Sequence, residues 1–124
     1  MEGITIFEAL GEEKIKMLTH FFYKEVKDSS LLKAMYPNEL EPAEERLFLF
    51  LQQSLGGPTT YSEQRGHPRL RMRHLRFAIN EEARDEWLRC MDVAMQQSSI
   101  EEPYFTHLQS YFYRAAQHMI NQAG

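Results

Sequence analysis

Apolar residues recur along this chain at intervals of three and four, the period of a helix with one buried face. Ile15, Leu18, Phe22 and Val26 form one such stripe and predict a helix near 12–27. Ala83, Trp87, Met91 and Ala94 form a second, near 81–97, with Asn80 well placed to cap it. Leu108, Tyr111, Phe112, Ala115 and Met119 form a third, on a last helix near 103–121 opened by Pro103. Between the first two, the run LFLFL over 47–51 is apolar on nearly every side. It predicts a helix near 42–55 buried on more than one face, with Pro42 in its first turn.

The punctuation agrees with this division. TIFE over 5–8 has capping-box spacing and opens a short first helix that Gly11 breaks. DSS over 28–30 ends the second helix and caps a short turn over 31–35, after which Pro37 forces the chain out of helix. Gly56-Gly57-Pro58 stops the next helix. Residues 58–67 read as a loop, 68–75 as a short helix, and 98–102 as a turn. No pair of alternating segments joined by a hairpin dipeptide is present, so the class is all-α.

The chain has 124 residues, the size of one domain, here spanning 1–124. That length supports a core without disulfide staples, and the lone Cys90 can form no internal bridge. The net charge of −4 argues against nucleic acid as a partner. The longest apolar run, 47–51, is too short to span a bilayer, and no basic start followed by an apolar stretch marks a secretory signal. A soluble, cytoplasmic protein with no membrane partner is the expectation.

One stretch breaks the pattern. RGHPRLRMRHLR over 65–76 is strongly basic in an acidic chain, with arginine alternating at a period of two. By itself it fits a one-faced strand, an arginine-rich nucleic-acid segment, a cluster for one compact anion, or a solvated loop. A haem-free helical module binding an anionic partner through it is therefore one reading of the chain.

The longer run GGPTTYSEQRGHPRLRMRH over 56–74, with FAI over 77–79 and RDEWLRCM over 84–91, resembles the second group of truncated haemoglobins. The resemblance extends from about Phe7 to about Met119, through Phe22-Tyr23, Tyr36-Pro37 and AEERL over 43–47. It implies a globin-like, truncated two-over-two helical sandwich around haem b (iron protoporphyrin IX). His74 matches the proximal iron ligand, and such an iron leaves its opposite face open for gas.

On that distal face the resemblance places Tyr23, Tyr36 and Trp87, with Ala43 where many globins carry a histidine and Leu47 one turn on. Buried O–H and N–H donors facing a bound gas slow its release. Phe50, Leu51, Leu55, Met72, Phe77 and Met91 are expected to line the haem, with Arg71 and Tyr61 as propionate partners. His67 is expected either to hold the loop or to approach a propionate, His20 to be packed or half-exposed, and His107 and His118 to lie on the surface.

Two departures stand out. In Leu75-Arg76-Phe77, Arg76 replaces the proline common after the ligand while the phenylalanine is retained as Phe77, and a glycine pair is reduced to Gly11-Glu12. The implied function is binding of dioxygen and other diatomic gases, held tightly enough for redox work, nitric oxide removal or sensing as well as for oxygen transport. A peroxidase-like or nitric-oxide-oxidising enzyme is the alternative. A reductase is the implied protein partner, and a monomer or a homodimer the expected state, with Pro103, Tyr104 and Phe105 as a possible contact.

Overall fold

The computed structural model of the chain describes residues 4–36, 38–67, 69 and 79–121. Those residues form seven helices and no strand: α1 (Ile6–Leu10), α2 (Glu12–Lys27), α3 (Ser30–Lys33), α4 (Glu41–Ser54), α5 (Thr60–Arg65), α6 (Glu81–Gln97) and α7 (Tyr104–Met119). None of the described helices is long and apolar enough to cross a membrane.

Local chemistry sets the helix ends. The Thr5 hydroxyl accepts the Glu8 amide at 3.0 Å, while the Glu8 carboxylate accepts the Thr5 amide at 3.2 Å, closing the capping box. Asn80 caps α6 by accepting the Ala83 amide at 3.0 Å, and Ser29 caps α3 by accepting the Leu32 amide at 3.3 Å. The predicted loop over 58–67 is corrected by α5. Its residues TYSEQR carry one apolar side chain, the buried Tyr61, so no stripe announces the helix. Its N-cap, Thr59, accepts no backbone amide on its side chain, so no cap announces it either. The helix expected over 68–75 lies outside the described residues, as does Pro37.

Helix α2 is the centre of the packing. It lies against α6 and α4, α6 lies against α7, and α3 touches both α2 and α6. The four long helices thus form two packed pairs. Ile15, Leu18, Phe22 and Val26 of α2 meet Cys90, Met91, Ala94 and Met95 of α6 and Leu108 and Phe112 of α7 in one core. Burial pushes the Cys90 thiol up to about 11, which keeps it protonated and inert at neutral pH.

Helix α4 departs from its expectation. Only Ala43, Leu51 and Gln52 are buried; Leu47, Phe48, Leu49 and Phe50 are half-covered. Phe48 and Leu49 line an open groove of about 580 Å³ against α2, together with Lys16, Met17, His20 and Glu44. His20 is exposed there and lies 3.6 Å from Glu44. His107 and His118 are on the surface as expected. Tyr104 and Phe105 pack partly against the core and are not the exposed pair anticipated.

Two close approaches tie the ends together. The Phe7 amide donates to the Leu55 carbonyl at 2.8 Å, laying α1 across the end of α4. Gly56 sits there at φ +97°, and a Cβ on it would stand 2.5 Å from the Thr5 Cβ. At the other end, Asn121 donates its amide to the Ile79 carbonyl and accepts the Ile79 amide on its side chain, both at 2.9 Å.

Candidate ligand pocket

Three polar aromatic side chains converge beside the core. Tyr23 comes from the middle of α2 and is 6% exposed. Tyr36 follows α3 and is half-buried, and Trp87 comes from the first half of α6. The Tyr23 and Tyr36 rings meet edge to face, with centroids 5.5 Å apart and planes at 90°. Phe22 and Phe112 pack on Trp87 with centroids at 5.3 and 5.8 Å, fixing the indole from two sides.

Burial raises both phenols: it is the main cause that pushes Tyr36 up to about 12, and it carries Tyr23 far above its ordinary range. Both hydroxyls therefore keep their protons at neutral pH. Tyr36 also interacts with Trp87 and Tyr23 through its hydroxyl. An indole N–H can only donate, so the Tyr36 oxygen is the acceptor toward Trp87, whereas a phenol both donates and accepts.

The surrounding surface is apolar. Leu47, Phe50, Trp87 and Leu88 pack on the core yet stay partly uncovered. Ala43 is buried and small, so no side chain from that position competes with the tyrosines. Tyr61 is 6% exposed and meets Phe50 edge to face at 5.6 Å. Leu51, Leu55 and Met91, expected as lining residues, are buried among protein side chains. His74, Arg71, Met72 and Phe77 lie outside the described residues. His67 is exposed, and its Nδ1 accepts the Arg69 amide at 3.2 Å, a bond within the loop. Among the described residues no cluster of three or more histidine, cysteine or acidic side chains could hold a metal ion. Half-covered Leu47, Phe50 and Leu88 offer an apolar surface that suits a flat organic group. The donor set and the apolar surface therefore fit a haem.

A short helix laid over the end of α4, two packed pairs of long helices and a pocket of aromatic donors define a globin of the shortened kind. The model of the bacterial-like globin family matches residues 5–121. A group 2 truncated haemoglobin of Bacillus subtilis is 41% identical over 116 residues, covering 94% of this chain and 88% of that protein. The structure of a group II truncated haemoglobin from Bacillus anthracis superposes with a TM-score of 0.96 at 35% identity, over 100% of this chain and 96% of that one. A thermostable haemoglobin from Thermobifida fusca gives 0.92 at 46% identity, over 95% and 98%. This chain belongs to the bacterial-like globins and, within them, to the group 2 truncated haemoglobins. Membership implies haem binding.

Proposed function

We propose that the chain binds dioxygen, and by the same chemistry carbon monoxide and nitric oxide, at haem b held by His74. When bound, haem supplies an iron with one free coordination position for a diatomic gas. The observation that carries the reading is the meeting of Tyr23, Tyr36 and Trp87 beside half-covered Leu47, Phe50 and Leu88, with the Tyr23 and Tyr36 rings edge to face at 5.5 Å. Their O–H and N–H groups are the donors available to a polar guest. They are preorganised, because Tyr23 lies in the core and Tyr36 and Trp87 pack against it.

Such a pocket holds a polarised gas tightly. Slow release suits nitric oxide removal, sensing or other redox work, with a reductase as electron donor, better than bulk delivery. A structural relative from Bacillus subtilis is described as an oxygen-avid truncated haemoglobin, in keeping with this expectation. Arg71 and Tyr61 are the proposed partners of the haem carboxylates, since an arginine fork matches a carboxylate. Phe50, Leu51, Leu55, Met72, Phe77 and Met91 are the proposed apolar lining, with Leu47 and Ala43 on the gas side.

The test is an absorption spectrum of the haem-loaded protein, reduced and then exposed to air and to carbon monoxide, for wild type and His74→Ala. A five-coordinate ferrous spectrum that shifts with both gases and is lost in the variant supports the proposal. Failure to take up haem, or an identical spectrum in the variant, refutes it.

A further inference from the structure

Tyr23 lies on α2, Trp87 on α6 and Tyr36 just past the end of α3, so their mutual geometry depends on how α2, α3 and α6 are held together. One polar network reaches all three. Glu86 immediately precedes Trp87 on α6, and its carboxylate accepts Arg89 Nε at 2.7 Å, Arg89 Nη2 at 2.9 Å and the Ser29 hydroxyl at 2.5 Å. Arg89 extends to Glu25 of α2, with Nη1 3.3 Å from the carboxylate, two residues from Tyr23. Ser29 is 4% exposed, and the same oxygen that donates to Glu86 accepts the Leu32 amide at the start of α3.

From Ser29 the chain reaches Tyr36 through a short hydrogen-bonded segment. The Lys33 amide donates to the Ser29 carbonyl at 2.8 Å, Met35 to Leu32 at 2.8 Å, and Tyr36 to Lys33 at 3.3 Å. Any shift of Ser29 against α6 therefore passes to Tyr36. The Glu86 side chain is 22% exposed and takes a bidentate arginine, a stronger and more directional arrangement than an ordinary surface ion pair.

We propose that Glu86, with Ser29 and Arg89, is the positioning group of the ligand pocket: it locks α3 onto α6 so that the Tyr36 hydroxyl stays against the Trp87 indole, and so sets how slowly the pocket releases its gas. The release half rests on the function proposed above; the positioning half does not.

The chain has one tryptophan, so a single indole N–H resonance reports on the contact. Its hydrogen exchange is followed by NMR on the purified protein, using the ferrous carbon-monoxide form where haem is present, and dioxygen release is followed by stopped flow. Glu86→Gln and Ser29→Ala are expected to speed both by about three- to tenfold, the factor carried by one ordinary hydrogen bond. Ser29→Thr, which keeps the cap and the hydroxyl, restores both rates. Glu45→Gln, in the outer groove, changes neither. Unchanged indole exchange in folded Glu86→Gln and Ser29→Ala overturns the proposal. So does faster exchange of backbone amides throughout α2 and α6, which marks a merely structural role. Faster indole exchange in a protein that binds no gas upholds the positioning and refutes the proposed function.

Discussion

Tyr36→Phe isolates the centre of the pocket, because it removes one oxygen and leaves the ring volume unchanged. The Trp87 N–H then loses its acceptor and the Tyr23 hydroxyl its partner. Tyr23, at 6% exposure, has little access to water, and stranding its O–H costs about 1–3 kcal/mol. Trp87 is half-covered, so water offsets most of its loss, and the sum is about 2 kcal/mol. For a chain of 124 residues that corresponds to a fall in Tm of roughly 6–10 °C.

Pairing the change with Tyr23→Phe gives a sharper result. Once the Tyr23 hydroxyl is gone, no donor is stranded there, so the double variant is expected to be about 1 kcal/mol more stable than the two single losses predict. Urea unfolding followed by circular dichroism measures all four corners of the cycle. Strict additivity would sink the inference that the Tyr23 and Tyr36 hydroxyls bond to each other. In the same variant dioxygen release is expected to quicken about tenfold or more, the worth of one hydrogen bond of about 1.4 kcal/mol.

Three further outcomes are expected. Tyr23 and Tyr36 are both raised by burial, so their contribution is complete below the ordinary tyrosine range and lost as pH climbs through 10 toward 12. Alkaline unfolding should soften in Tyr23→Phe with Tyr36→Phe, read from urea midpoints between pH 8 and 11. Hydrogen bonds from Arg89 and Ser29 hold Glu86 down to about 2, so its contribution is present above the ordinary carboxylate range and lost as pH falls toward 2. Glu86→Gln should flatten that acid limb, and an unaltered limb would show the network to be idle. Gly56→Ala combines φ +97° with a Cβ 2.5 Å from Thr5 and should cost about 2–4 kcal/mol, whereas Gly66→Ala, with φ +78° and open space, should cost only about 1 kcal/mol. Equal midpoints for the two glycine variants would argue against α1 pressing on the end of α4.

The long helices were legible where an apolar stripe and a cap coincide. Glu12–Lys27 and Glu81–Gln97 match their expected spans because Ile15, Leu18, Phe22 and Val26, or Asn80 with Ala83, Met91 and Ala94, state both phase and boundary. Thr60–Arg65 was not legible, since a helix of six residues with one buried side chain has no measurable period. LFLFL over 47–51 misled in the other direction. Continuous apolar sequence implied burial on more than one face, yet Leu47, Phe48, Leu49 and Phe50 stay half-covered, Phe48 and Leu49 beside a groove.

By itself, then, the sequence determined the all-helical class and the caps, and Tyr23, Tyr36 and Trp87 were named from family likeness alone. How they meet was decided only by the tertiary structure. The edge-to-face contact of Tyr23 with Tyr36 and the packing of Phe22 on Trp87 join rings from different elements. The Ser29–Glu86–Arg89–Glu25 network was invisible for the same reason. Ser29 and Glu86 are 57 residues apart, and each read locally as a helix cap or a solvated charge. Periodicity records what one helix buries; only packing sets which polar groups from different helices must satisfy one another.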